Sequence, residues 1–200
     1  MGGLNAPPNF KKYNIMPCLL SAGFMLDCNE GVGGVKNVYF ANWEFFSSGI
    51  TLDANGIIDG LPGVAGSIDI FQYQPNRNTG AVTVVPTANL ENGTLYYDQT
   101  VELTLGKLTN AKKKELEQMS KAKLIVFVQL YDNQIVCVGR TDGAFLTTGS
   151  YQSGKAKGDL NGYQITLNAQ EPNQPDFLEE YFPASDVPFS NFPGITVVNS

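Results

Sequence analysis

The chain of 200 residues contains no histidine. Histidine is the commonest general base and metal ligand in proteins, and its absence excludes the Ser-His-Asp and Cys-His arrangements of nucleophilic catalysis. The adjacent acids Glu179 and Glu180 lie in a Pro-rich stretch and do not form an acid–base dyad. The Gly-rich run at 31–34 lacks the spacing of a phosphate-binding loop and precedes a strand. We therefore expect that the protein is not an enzyme and uses no cofactor or metal.

Cysteines are few, and long apolar runs are missing. Cys18, Cys28 and Cys137 include no C-x-x-C pair, so they predict neither a disulfide framework nor a zinc site. Cys137 alternates within an apolar strand and is expected to be buried. Cys18 and Cys28 could face each other across a strand pair, but we expect reduced thiols in a cytoplasmic product. No run approaches the roughly 20 apolar residues of a membrane span, so we expect none.

Charge is also sparse. Charged residues make up 16% of the chain, and the net charge is −6. An acidic protein does not grip nucleic acid, because phosphate contacts need Lys and Arg. Acidity is compatible with a wall that repels DNA and lets a duplex slide, although solubility alone also explains it. A modestly charged surface suits a protein that is partly covered by copies of itself.

The sequence does contain many β segments. Residues 36–42, 94–105 and 163–170 alternate in polarity, and the pair Asn55-Gly56 indicates a hairpin. With about eight to ten strands and a single α-helix at about 110–122, the chain is predicted to be mainly β, an antiparallel β-sandwich or barrel. We divide it into an N-terminal arm with a short β element (1–35), the β domain (36–170) and a C-terminal Pro/aromatic arm (171–200).

Residues 124–131 and 134–140 form the most distinctive segment, a predicted hairpin across Asp132-Asn133 that is apolar on both faces. One face belongs to the core, and the other must be covered by the helix or by a neighbouring subunit. The C-terminal arm would leave its aromatic rings in water unless it docked on another subunit, where Ile195–Val198 could add a strand. The predicted inter-subunit residues are Ile125, Phe127, Tyr131, Phe182, Phe189, Phe192, Ile195, Val197 and Val198.

Two stretches carry a resemblance to a known family. The segment MPCLLSAGFMLDCNEGVGGVKNVYFANWE is similar to the start of structural proteins from phages of the Bacteroidetes group, with Cys28, a GGVK turn at 33–36 and the strand at 37–42. Residues 158–172 are similar to a pattern near the end of such proteins. The order strand, helix, hairpin in 101–172 resembles the phage tail tube fold, which is shared with contractile-injection tube proteins.

This resemblance implies a virion structural protein, assembled in the bacterial host cytoplasm, whose hexameric rings stack into a tail tube. The sheets of six subunits would merge into an inner barrel through which DNA passes without sequence-specific binding. The second apolar face of the hairpin would then lie against the next subunit, and loops and arms would contact adjoining rings and other tail or neck proteins.

Other functions are compatible with the same pattern. A head–tail connector, a tail terminator or a capsid decoration protein would form one ring or a surface array. A carbohydrate-binding β-sandwich would use Trp43 and Tyr96–Tyr97 as a stacking platform.

Overall fold

The computed structural model describes residues 32–63, 68–179 and 187–199. Within these ranges the chain is mainly β, with one α-helix, as the sequence predicts. The strands are β1 (Val35–Asn42), β2 (Thr51–Leu52), β3 (Ile58–Gly60), β4 (Ile68–Tyr73), β5 (Ala81–Asn89), β6 (Thr94–Gly106), β7 (Leu124–Leu130), β8 (Ile135–Val138), β9 (Phe145–Gln152), β10 (Gly162–Glu171), β11 (Asp176–Phe177) and β12 (Ile195–Val198). A 3-10 helix, Trp43–Phe45, follows β1, and the α-helix α1 spans Asn110–Met119.

Two sheets dominate the architecture. The first has six strands in the order β11-β8-β7-β1-β4-β12, and the second has four in the order β5-β6-β10-β9. Neighbouring strands are antiparallel, except that β12 runs parallel to β4. A short β2–β3 hairpin forms around Asn55-Gly56, where the Asp53 carboxylate accepts the Asn55 and Ile57 backbone N–H groups. Among the described strands no sheet closes on itself, so the fold is a sandwich and not a barrel.

The six-stranded sheet is buried on both faces, which accounts for its continuously apolar strands. One face packs against the four-stranded sheet and α1. The other face packs against residues that follow β1, against Leu178 and against the C-terminal segment at 187–199. In β1, Val38 and Phe40 point into the first core and Tyr39 into the second. The described chain is therefore layered: four-stranded sheet, six-stranded sheet, and an outer cover.

The helix packs on the edge of the first core by one narrow apolar stripe. Thr109 caps it, because its side-chain oxygen accepts the Lys112 N–H. Met119 is buried, and Leu116 and Ala122 are partly buried against the same core. Its other residues are largely exposed, and α1 ends at Met119 and not near 122 as predicted. No helix in the described ranges is long and apolar enough to cross a membrane.

Strand β9 has little local signal in the sequence, because residues 141–162 have the composition of a Gly-rich loop. Its eight residues are mostly exposed, and a glycine and three hydroxyl residues in the middle resemble loop composition. Pairing with β10 holds it in the sheet, from Phe145 opposite Asn168 to Gln152 opposite Gly162. Tertiary pairing therefore overrides a weak local signal.

Candidate assembly interface

The second apolar face of the β7–β8 hairpin is covered by the same chain. Ile125 and Phe127 are fully buried in the second core. The Phe127 ring packs edge-on against Phe189 and Phe46, at centroid distances of 5.4 and 5.6 Å. The expectation that a neighbouring subunit covers this face is therefore not met by the described chain, because its own C-terminal segment does so.

The predicted C-terminal contact residues have the same intramolecular role. Phe189 and Phe192 are buried, and Ile195 and Val197 are partly buried against the same core. Strand β12, which includes Val198, pairs with β4 of its own chain and forms one edge of the six-stranded sheet. Phe182 lies outside the described residues. Among the predicted contact residues that the structure describes, Tyr131 is the most exposed, with 39% of its surface accessible at the turn after β7.

The four-stranded sheet offers a different surface. Its inner face carries Val101, Leu103, Ile165 and Leu167 into the first core, and the outward side chains of β6 and β10 are partly or fully exposed. The outward positions of its four strands hold no Lys or Arg, and their charged residues are acids. The outward residues are Ala81, Thr83, Val85, Thr87, Tyr96, Asp98, Thr100, Glu102, Thr104, Phe145, Thr148, Ser150, Gln152, Gln164, Thr166, Asn168 and Gln170.

A hydrogen-bonded row orders this outer face. Asp98 accepts N–H groups from Asn168 and Gln170 at 3.3 and 3.2 Å. Asn168 also donates to the Thr100 hydroxyl at 3.3 Å. The polar side chains across β6 and β10 are therefore fixed to one another, and the centre of the face is acidic, hydrophilic and preorganised.

Both edges of the four-stranded sheet are long and uncharged. Strand β5 forms one edge with nine residues and β9 the other with eight, and neither contains Asp, Glu, Lys or Arg. No other described strand pairs with their outer sides. Soluble proteins usually protect such edges with charges, bulges or covering loops, because exposed edges pair with other chains. Pro86 is the one edge-blocking residue in β5.

The directions of the two edges suit repeated addition. Each of the three pairings within this sheet is antiparallel, so β5 and β9 run in opposite directions. If β9 of one copy met β5 of the next, the sheet would continue with the same antiparallel alternation. The geometry permits a ring of copies joined by a single kind of contact.

A buried polar cluster stabilises the loop between β8 and β9. Glu171 is buried, and its carboxylate accepts the backbone N–H groups of Thr141 and Asp142 at 2.8–3.1 Å. Arg140 forms an ion pair with Asp176. Gln99 accepts the Gly139 N–H at 3.2 Å. These contacts fix the β8–β9 loop, and no side chain among them has the geometry of a catalytic dyad.

The residues proposed for sugar stacking do not form a platform. One ring face of Trp43 is covered by the Lys123 ammonium group, 3.3 Å from the ring centroid, and its indole N–H donates to the Arg140 carbonyl. Tyr96 and Tyr97 are consecutive in β6 and therefore point to opposite faces of the sheet.

The described ranges contain one cysteine, Cys137, and no cluster of possible metal ligands. Cys137 is buried in the second core, and burial raises the pKa of its thiol well above the usual value. A buried neutral thiol is a small hydrophobe with low reactivity. No group of three or more Cys, Asp or Glu side chains in these ranges could hold a metal ion. Cys18 and Cys28 lie outside the described residues.

No family model matches the sequence, and no curated protein is significantly similar to it.

Proposed function

We propose that the protein is a virion structural subunit that assembles edge to edge into rings, which stack into a tail tube for DNA passage. The observation that carries this proposal is the four-stranded sheet, with two long uncharged edges of opposite direction and an outer face whose charges are all acidic. The edges supply the contact between neighbouring copies. The resemblance of 101–172 to tail tube proteins supports the same function.

The acidic outer face would line the conduit. Asp98 and Glu102 lie on it without a Lys or Arg among the outward residues of the four strands, so phosphate groups would find no cationic partner on the strands themselves. Electrostatic repulsion keeps a duplex from adhering to such a wall, and its effect weakens as salt increases. The six-stranded sheet and its cover would then face outward.

A single-ring virion protein is the alternative. The same edges would close a ring in a connector or a terminator, and copy number distinguishes the two. Electron microscopy of the purified full chain tests the proposal directly: hollow tubes of stacked rings support it, isolated rings favour the alternative, and a persistent monomer contradicts both.

The role of the edges can be tested with a pair of adjacent proline substitutions in β9. Successive backbone N–H groups in a strand point to opposite sides, so Gly149→Pro and Ser150→Pro differ in which donor they remove. One variant loses a hydrogen bond to β10 and is destabilised. The other loses only the outward donor, and we expect it to fold as a stable monomer. If that folded variant assembles like the wild type, edge pairing is wrong.

A further inference from the structure

The β5–β6 hairpin extends past the rest of the four-stranded sheet. Strand β10 pairs with β6 only as far as Tyr97, whereas β5 and β6 continue to pair up to Asn89 and Thr94. Three further residue pairs amount to about 10 Å of two-stranded ribbon. The tip beyond them carries Leu90, which is 95% exposed, and Glu91.

The tip is ordered and not a loose loop. The Asn89 side-chain oxygen accepts the backbone N–H groups of Glu91 and Asn92 at 3.0 and 3.1 Å. Gly93 has a φ of 64°, a left-handed conformation that favours glycine and closes the turn. A leucine held outward by a preorganised turn loses little conformational entropy on binding, so it is suited to contact another surface.

The opposite end of the same sheet is basic. Arg77 lies in the turn before β5, Lys107 follows β6, and Lys155 and Lys157 lie in the loop between β9 and β10. All four side chains are exposed. The acid of that loop, Asp159, already accepts the backbone N–H groups of Lys155 and Ala156 at 2.8 Å. This end is therefore cationic, whereas the hairpin tip bears the single charge of Glu91.

An apolar group accompanies the cations. Tyr151, near the end of β9, is 73% exposed and its ring lies 6.5 Å from that of Tyr163. The pairing of Gly162 with Gln152 and Gly106 places this aromatic pair beside the basic loops. The surface offers an apolar contact for a leucine and cations for a neighbouring carboxylate, and these match the two exposed side chains of the tip.

We infer that the β5–β6 tip of one subunit docks on the basic end of the four-stranded sheet of a subunit in the next ring, with Leu90 against Tyr151 and Glu91 beside Lys155 and Lys157. Tip and basic end lie at opposite ends of one sheet, so the contact is head to tail and generates an open stack. The inference rests on the proposed function, since it specifies how the rings of the tube bind one another.

Charge reversal tests this contact in the full chain. We expect Glu91→Lys and, separately, Leu90→Ser to preserve rings but to reduce the sedimenting tube fraction at least about tenfold, because every subunit of a ring loses the contact. The combination of Glu91→Lys with Lys155→Glu and Lys157→Glu should restore tubes. Glu44→Lys is the matched control, because it makes the same charge change at an exposed residue outside the four-stranded sheet.

The outcomes separate the inference from the function on which it rests. Wild-type tubes, with rings but few tubes in the two tip variants and rescue in the triple variant, support the docking. Tubes formed equally by Glu91→Lys, Leu90→Ser and the Glu44→Lys control overturn it while leaving the tube function intact. A wild-type chain that forms neither rings nor tubes overturns the proposed function, and the docking with it.

Discussion

The ring of Phe189 packs edge-on against the ring of Tyr39, with their centroids 5.0 Å apart and their planes at 81°. Phe189 comes from the C-terminal segment and Tyr39 from the middle strand β1, so this contact joins the end of the chain to the centre of the six-stranded sheet. Aromatic pairs of this geometry stabilise beyond the area that they bury. The C-terminal segment is therefore part of the subunit's own core.

Phe189→Ala should destabilise the subunit by about 3–5 kcal/mol, the usual cost of removing a buried phenylalanine. The substitution opens a cavity against Tyr39 and Phe127. Urea unfolding followed by fluorescence measures the change in the free energy of unfolding. Phe177→Ala is the control, because Phe177 is 46% exposed and should cost much less. Equal unfolding midpoints for the two variants would show that the segment does not hold the core.

The Glu171 carboxylate supports a second prediction, on the loop between β8 and β9. It accepts hydrogen bonds from two backbone N–H groups in a buried position, and a charged acceptor makes stronger bonds than a neutral one. We expect Glu171→Gln to cost about 2 kcal/mol in unfolding free energy and to speed amide exchange at Thr141 and Asp142. Glu102→Gln, on the exposed face of the same sheet, should change neither quantity. Unchanged exchange in Glu171→Gln would contradict the anchoring role.

Core strands and tight turns are the features that could be predicted from the sequence. Alternation placed Leu103, Leu105 and Ile165 in the core, and Asp132-Asn133 marked the β7–β8 turn, where Asn133 adopts a φ of 68°. The doubly apolar hairpin correctly indicated burial on both faces. Periodicity reports burial, however, and does not report which segment provides the cover.

The remaining features depend on contacts between distant residues. Glu171 resembles any acid at the end of an amphipathic strand, and its role appears only when the β8–β9 loop folds over it. The glycine and hydroxyl residues of β9 conceal it in the sequence, and with it the second edge that no other described strand pairs with. Most of the residues predicted to lie between subunits pack within the subunit's own second core, and self-assembly remains the proposal.

Tyr73 should make the subunit sensitive to alkaline pH. Burial, and secondly the negative charge of Glu115, raises the pKa of its phenol from 10.0 to about 12. The unfolded chain therefore loses this proton near pH 10, whereas the folded chain keeps it until about pH 12. The stabilisation is complete below pH 10 and is lost as pH rises between these values. Tyr73→Phe should unfold with a smaller loss of stability across this window. Identical pH profiles for the two proteins would contradict the raised pKa.

The acidic outer face gives the last prediction, because its charge can be inverted without touching the core. Glu102 is exposed on β6, and Glu102→Lys would place one cation per subunit on the face proposed to line the conduit. Assembled wild-type tubes should not bind a short DNA duplex, whereas Glu102→Lys tubes should bind it, with affinity falling steeply as salt increases. Glu117→Lys is the control, since it changes the same charge on the exposed helix. If both variants bind DNA equally, the introduced lysine binds DNA at the outer surface of the tube, and the four-stranded sheet does not line the conduit. Binding confined to Glu102→Lys identifies the outer face of this sheet as the surface that DNA meets.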